Sequence, residues 1–246
     1  MSAAELRALH VPGTPLVLPN AWDADSAKAI EAAGFPVVAT SSAAVAAVLG
    51  LPDGEKAPAD DMFAAARRIV DAVSAPVTVD AEGGYRLPPA ELVARLREIG
   101  AVGLNFEDTD YAGEGLHPVD AQAERIAGIR AAAGDELVIN ARIDLFLGQP
   151  DQESVFDEAV ARGRAYREAG ADCVYPIFLR PAELIAEFVR QAGGAVNVSA
   201  LPGGPGISGL AELGVARISL GAGLWRYLRS KLEGVLGEIA QGKLPY

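Results

Sequence analysis

A chain of 246 residues, half of them hydrophobic, can bury one large core, and its formal net charge of −12 argues against nucleic acid or an anionic membrane surface as a partner, since both would repel it. One cysteine, Cys173, excludes an intramolecular disulfide or a cysteine zinc cluster and, lying in a strand-like run, is expected to be a buried structural thiol. The first residues lack a basic flank ahead of a long apolar core, and no uncharged apolar run reaches about 18 residues, so a cytoplasmic protein with no membrane partner is expected.

Along the chain, short β-branched runs alternate with segments whose apolar residues recur every three or four positions. The strand-like runs are 16–19, 37–40, 77–80, 103–106, 137–141, 173–176, 195–198 and 217–220. The helix-like segments are 25–33, 60–73, 89–99, 121–132, 154–169, 181–190, a short 207–213 and a last one at 224–239. Gly34, Gly100, Gly170 and Gly214 each stand between a helix and the next strand, where a left-handed C-cap is needed. Eight βα units fill the chain without remainder, with no linker-like break. That order predicts an α/β fold, a (β/α)8 TIM barrel formed by residues 1–246 as one domain, with an open doubly wound sheet as the alternative.

In such a barrel the chemistry sits at the carboxyl ends of the strands. Asn20, Trp22 and Asp23 follow the first strand, Ser41, Ser42 and Asp53 the second, Asp80, Glu82 and Tyr85 the third, Glu107 and Asp108 the fourth, Arg142 and Asp144 the fifth; Asn197 and Ser199 lie at the seventh. Asp80 and Glu82 are two apart and share a face. With Glu107 on a neighbouring strand, three carboxylates would repel unless a divalent cation held them, and Mg²⁺ or Mn²⁺ takes oxygen ligands while keeping waters. The same acids would also serve as helix caps or pair with Arg86 and Arg142.

Five stretches, 18–23 (LPNAWD), 40–53 (TSSAAV leading to GLPD), 79–85 (VDAEGGY), 105–109 (NFEDT) and 140–144 (NARID), together resemble the isocitrate lyase and phosphoenolpyruvate mutase superfamily, one motif per strand over most of the chain. The resemblance implies a Mg²⁺-dependent (or Mn²⁺-dependent) barrel acting on α-keto acids or their enol forms. It implies that Asp53, Asp80, Glu82 and Glu107 surround the metal directly or through water, and that Ser41, beside the Ser42 backbone N–H, holds the substrate carboxylate. Arg142 then supplies charge to the carboxylate or the developing enolate oxygen, with Trp22 and Asn197 on the substrate side. Arg142 would equally pair with Glu107 or Asp108.

The departures from that pattern narrow the chemistry. Lyases of the superfamily carry a Lys-Lys-Cys-Gly-His segment after the fourth strand, and the mutases a Lys and an Asn; residues 108–117 (DTDYAGEGLH) have neither Cys nor Lys. Glu82 replaces the usual Asp, and Ile177 stands where the lyases place a Glu. C–C bond cleavage by a lyase or an oxaloacetate decarboxylase-like enzyme is therefore favoured over P–C chemistry of the phosphoenolpyruvate mutase or phosphonopyruvate hydrolase kind, and over a barrel that binds a small acid without catalysis. Tyr111, Glu114 and His117 are the expected proton donors, His117 foremost because its ordinary pKa lies near 6.5; it would equally just open the next helix before Pro118. Residues 201–206 (LPGGPG) read as a tight turn rather than a phosphate loop. The last helix carries Leu224, Leu228, Leu232 and Leu236 at helical spacing, and the resemblance implies its exchange with a neighbour in a dimer or tetramer. The expected partner in catalysis is a small anionic substrate.

Overall fold

Nine short strands, all paired in parallel, alternate with ten helices in the computed structural model, which describes residues 2–244. The strands are β1 (Leu16–Leu18), β2 (Asn20–Ala21), β3 (Val38–Thr40), β4 (Val77–Asp80), β5 (Gly103–Phe106), β6 (Val138–Ile143), β7 (Cys173–Pro176), β8 (Asn197–Ser199) and β9 (Arg217–Ser219). They run β2-β3-β4-β5-β6-β7 in one ladder and β1-β9-β8 in another. Pro19, which has no N–H to give, separates β1 from β2 within one strand. A parallel bridge from Val174 to Val196 ties β7 to the approach of β8. The two ladders therefore close into the eight-stranded barrel the sequence predicts.

The helices are α1 (Ala3–Ala8), which precedes the first strand, α2 (Ala24–Ala32), then α3 (Ser42–Leu49) and α4 (Ala59–Ala72), both after β3, and α5 (Pro89–Glu98), α6 (Val119–Ala133), α7 (Phe156–Glu168), α8 (Ala182–Ala192), α9 (Ile207–Glu212) and α10 (Gly223–Ala240), one after each later strand. Their apolar stripes bury residues such as Ile69, Leu96, Ile129 and Phe188 against the strands, each worth about 1.5–3 kcal/mol relative to exposure. Gly34, Gly100, Gly170 and Gly214 all have the positive φ expected of them, and at Gly170 a Cβ would stand 2.8 Å from Arg130 Cγ. Cys173 is fully buried, and burial pushes its thiol up to about 12.

Three differences from the predicted elements matter for the site. The leader is a helix, α1, with a Ser2–Glu5 capping box; its Leu6 packs with Leu16, Leu18 and Val37 in a second cluster of buried residues. The stretch after β3, which carries no polar stripe to mark it, forms α3, closed by Gly50 in the left-handed conformation. β6 runs on to Ile143, so Arg142 is inside a strand, opposite Tyr175, rather than on a loop. No helix among the described residues is long and apolar enough to cross a membrane.

Candidate active site

The parallel register brings Thr40, Asp80, Asn105 and Asn140 to neighbouring positions around the barrel and puts the segments that follow β3, β4, β5 and β6 on one rim. Asp80 is fixed there by the backbone: its own N–H donates to Thr40 Oγ1 (2.8 Å), and its Oδ2 accepts the Ser42 N–H at the start of α3 (2.9 Å). A carboxylate is favoured at a helix N-terminus, so this placement is stable without a side-chain cation. Its other oxygen, Oδ1, is buried and has no hydrogen-bond partner. Glu82, two residues on, repeats the arrangement: Oε2 accepts the Glu55 N–H at 2.5 Å, while Oε1 is buried without a partner. Burial, then the nearby charges of Asp53 and Asp80, push the Glu82 carboxyl up to about 7. Asp53 stands on the more open loop side; it is raised by burial of its carboxyl and by Asp80, against hydrogen bonds from Gly54 and Ser42.

The backbone carrying these acids is strained. Glu55, Glu82, Tyr85 and Arg86 all have left-handed φ, of 54°, 48°, 54° and 59°, a conformation that costs non-glycine residues on the order of 1 kcal/mol or more each and is kept only where surroundings enforce it. The enforcement is visible: Glu55, whose side chain is 4% exposed, accepts the Tyr85 N–H at 2.6 Å while its own N–H holds Glu82.

On the other side of the rim Glu107 follows β5. Its carboxylate pairs with Arg142 and accepts the Tyr111 hydroxyl. Arg142 in turn holds Asp144 through Nε (2.5 Å) and Nη2 (2.8 Å), and Thr109 Oγ1 donates to the same carboxylate at 2.5 Å. Burial alone would lower the Arg142 guanidinium, but the charges of Asp144 and Glu107 outweigh it and hold it well above its ordinary value. Burial raises Glu107, with Arg142 pulling the other way. The Tyr111 ring closes over both halves of the rim. A Cβ at Gly54 would lie 3.3 Å from it and one at Gly83 3.2 Å, so a side chain at either position would have to push the ring back by a few tenths of an ångström. The segment carrying Tyr111 is a small hairpin with a Thr109–Leu116 bridge and an Asp110 N–H to Gly115 carbonyl bond of 3.0 Å.

Among the described residues, no three His, Cys, Asp or Glu side chains converge tightly enough to enclose a cation by themselves. The unpartnered buried oxygens of Asp80 and Glu82, with Asp53 beside them, nevertheless suit a cation that takes one or two carboxylates and fills its remaining positions with water, as Mg²⁺ does.

A family model described as phosphoenolpyruvate phosphomutase matches residues 6–240. The chain belongs to that family. Among solved structures of the phosphoenolpyruvate phosphomutase fold, one from Burkholderia cenocepacia J2315, provisionally assigned as a phosphonomutase, is 40% identical with a TM-score of 0.91, covering 96% of this chain and 99% of that one. An uncharacterized protein of Mycobacterium tuberculosis is 32% identical over 243 residues, 97% of this chain and 92% of its own length. The 2-methylisocitrate lyase of Escherichia coli K12 is 32% identical over 217 residues, 78% of this chain and 70% of its own.

Within this family member, Asp53, Asp80, Glu82, Glu107 and Arg142 meet on one rim as their spacing suggested, but several predicted partners do not. The Ser42 N–H is taken by Asp80 Oδ2 and is not free to hold a substrate carboxylate. Ser41 is the exception: it is buried at the N-cap of α3, and its hydroxyl makes no capping bond. His117 faces Asp110, 3.9 Å away, and its own backbone is tied down by Asp108 and Arg162; the hairpin presents Tyr111, not His117, to Glu107. Burial and the Arg125 charge lower the His117 imidazole. Asn197 is closed off from solvent and donates to Ser219 Oγ at 3.0 Å. Trp22 lines an apolar groove between α2 and the start of α10, with Ile30, Leu224 and Leu228. Arg142 pairs with Glu107 and Asp144; Asp108 belongs to Arg162 instead. Glu55, Thr109 and the fully buried Arg217, whose Nη2 donates to Asn105 Oδ1 at 3.1 Å, were not picked out from the sequence. An Arg opening an apolar run was the one available signal for Arg217.

Proposed function

We propose that this protein is a divalent-cation-dependent lyase that breaks a C–C bond next to the carbonyl of a small α-keto acid or dicarboxylate, through an enolate. The observation that carries the reading is the pair of buried, unpartnered carboxylate oxygens, Asp80 Oδ1 and Glu82 Oε1, on a rim that Arg142 and Tyr111 close. Asp80 and Glu82 would hold Mg²⁺ or Mn²⁺ directly, with Asp53 and Glu107 reaching it through water. Bound there, the cation supplies a Lewis acid for the carbonyl oxygen, on which negative charge develops as the bond breaks. Arg142, its fork fixed by Glu107 and Asp144, keeps a permanent positive charge on the rim to offset that charge. The Ser41 hydroxyl, free of capping, is the donor for the substrate carboxylate. Tyr111 covers the rim and excludes water while the bond is broken.

P–C bond chemistry is the second reading, favoured by the likeness to the protein provisionally assigned as a phosphonomutase. Against it, the hairpin that covers the rim carries Asp110 and Glu114 and no Lys to meet a phosphoryl group. Incubation with Mg²⁺ and a panel of oxaloacetate, alkylmalates, isocitrate and phosphonopyruvate separates the readings: pyruvate or glyoxylate from a carbon acid supports the lyase, and turnover of phosphonopyruvate alone supports the second. No turnover together with tight oxalate binding would leave a non-catalytic acid-binding barrel.

The same proposal includes a homo-oligomer. All 18 residues of α10 lie outside the buried core, and Tyr227, Leu228, Leu232, Leu236 and Ile239 are exposed, an apolar face suited to a second copy. Light scattering after size exclusion should give a dimer or tetramer; a monomer at micromolar concentration overturns this part.

A further inference from the structure

Glu82 and Glu107 follow different strands, yet a closed ring of hydrogen bonds joins their main chains. The Glu107 N–H donates to the Glu82 carbonyl at 2.8 Å. One residue further on, the Gly83 carbonyl accepts Nη2 of Arg125, whose Nη1 donates to Gln122 Oε1 at 2.7 Å. Gln122 Nε2 then donates to the Glu107 carbonyl at 2.8 Å and closes the ring. Gln122 and Arg125 stand three residues apart on α6, where side chains share one face of the helix and meet. Gln122 is fully buried, with both ends of its amide in the ring, and Arg125 gives both of its hydrogen bonds to it.

Packing reinforces the ring. The Arg125 guanidinium lies 4.6 Å from the centroid of the Phe106 ring, and Phe106 is the residue immediately before Glu107. The same ring lies under the turn after β4, since a Cβ at Gly84 would stand 3.0 Å from Phe106 Cε2. That turn has left-handed φ at Glu82, Gly84, Tyr85 and Arg86, and a backbone so strained keeps its shape only where its surroundings hold it. Glu55 holds it at Glu82 and Tyr85; Arg125 holds it between them, at Gly83, from α6. We propose that Gln122 and Arg125 are positioning residues for the metal site: they fix the main chains of Glu82 and Glu107 relative to each other and so set the site's geometry before a cation arrives. This rests on the cation-dependent reading above and adds to it the residues, remote from the cation, that shape its site.

Titration of the chelator-treated protein with Mn²⁺, followed by calorimetry and by the electron paramagnetic resonance signal of free Mn²⁺, tests the assignment without any turnover. Arg125→Met and Gln122→Met should each weaken Mn²⁺ binding about 10- to 100-fold, the range found when partners that orient metal ligands are removed. Arg125→Lys keeps a donor for the Gly83 carbonyl and should recover part of the loss; if Arg125→Met does not fold, this variant and Gln122→Met carry the measurement. Arg162→Met is the control for lost stability alone, because Arg162 is a buried arginine of α7 that lies outside the ring; its Mn²⁺ affinity should match wild type. Wild-type affinity in the Arg125 and Gln122 variants, or an equal loss in Arg162→Met, overturns the positioning role while the metal site stands. Failure of the wild-type protein to bind Mn²⁺ overturns the cation-dependent reading and the positioning role with it.

Discussion

Glu107 and Asp108 are neighbours at the end of β5, both buried and both acidic, and they lead opposite lives because consecutive side chains leave a strand on opposite faces. Glu107 turns to the rim, where Arg142 and Tyr111 share it with the carboxylates of the proposed metal site. Asp108 turns outward into the packing of α7: its Oδ2 accepts Tyr166 Oη (2.7 Å) and Arg162 Nη1 (3.1 Å), and its Oδ1 accepts the Asp144 N–H (2.8 Å). Every oxygen of Asp108 is satisfied by protein, whereas Asp80 and Glu82 each keep one buried oxygen with no protein partner. Spare bonding capacity, which Asp80 and Glu82 have and Glu107 and Asp108 lack, is what marks the first two as candidate ligands of the proposed metal site.

The comparison is broken most strongly from the structural side. Arg162→Met leaves Asp108 buried without its cation and should cost about 3 kcal/mol or more in urea unfolding, while activity per folded molecule stays near wild type; an equal loss of activity would make Asp108 part of the catalytic rim. The converse substitution, Asp80→Asn, keeps an acceptor for the Ser42 N–H but removes the charge. Metal-dependent turnover is expected to fall about 100-fold or more, on the scale of lost metal-site contacts, with stability unchanged or slightly raised by relief of repulsion from Glu82 and Asp53. Full metal dependence in that variant would refute the ligand assignment.

The Glu82 carboxyl gives the rim a pH signature. Because its pKa is raised from 4.5 to about 7 in the folded protein, the folded state holds a proton the unfolded state releases first. Its contribution to stability is fully present below pH 4.5 and is lost as pH rises through 7, a change of about 3 kcal/mol. Unfolding in the presence of chelator should show that slope in the wild type and a flatter one in Glu82→Gln; identical slopes would remove Glu82 as the group responsible. The smallest effect belongs to Tyr111→Phe, which deletes one hydrogen bond to Glu107 while keeping the ring over Gly54 and Gly83. A change of about 1 kcal/mol is expected, read as a KM increase of a few fold and faster proteolysis within residues 108–117.

Much of the rim was legible because strand-end acids announce themselves. A short β-branched run ending in Asp80, and another followed by Glu107, place those acids without any knowledge of packing, and residue order alone puts Arg142 near them. Ser42, His117, Asn197 and Trp22 were misplaced for a common reason: each depends on what a neighbouring element does. The Ser42 N–H is spent because α3 starts there, His117 is turned away by the hairpin, Asn197 by its bond to Ser219, and Trp22 by the groove that α10 leaves open. Glu55 has no marker in sequence, since its role comes from holding two left-handed residues in place.

The sequence by itself determined the βα alternation, the glycine caps, the eight barrel strands and the acids at their ends, because periodicity and backbone conformation are local properties. Only the tertiary structure decided which acid oxygens are satisfied and which are spare, and that Arg142 is bound by Asp144 as well as Glu107. Those depend on contacts between residues far apart in the chain, and hydrogen-bond satisfaction in a buried site is set by the sum of such contacts.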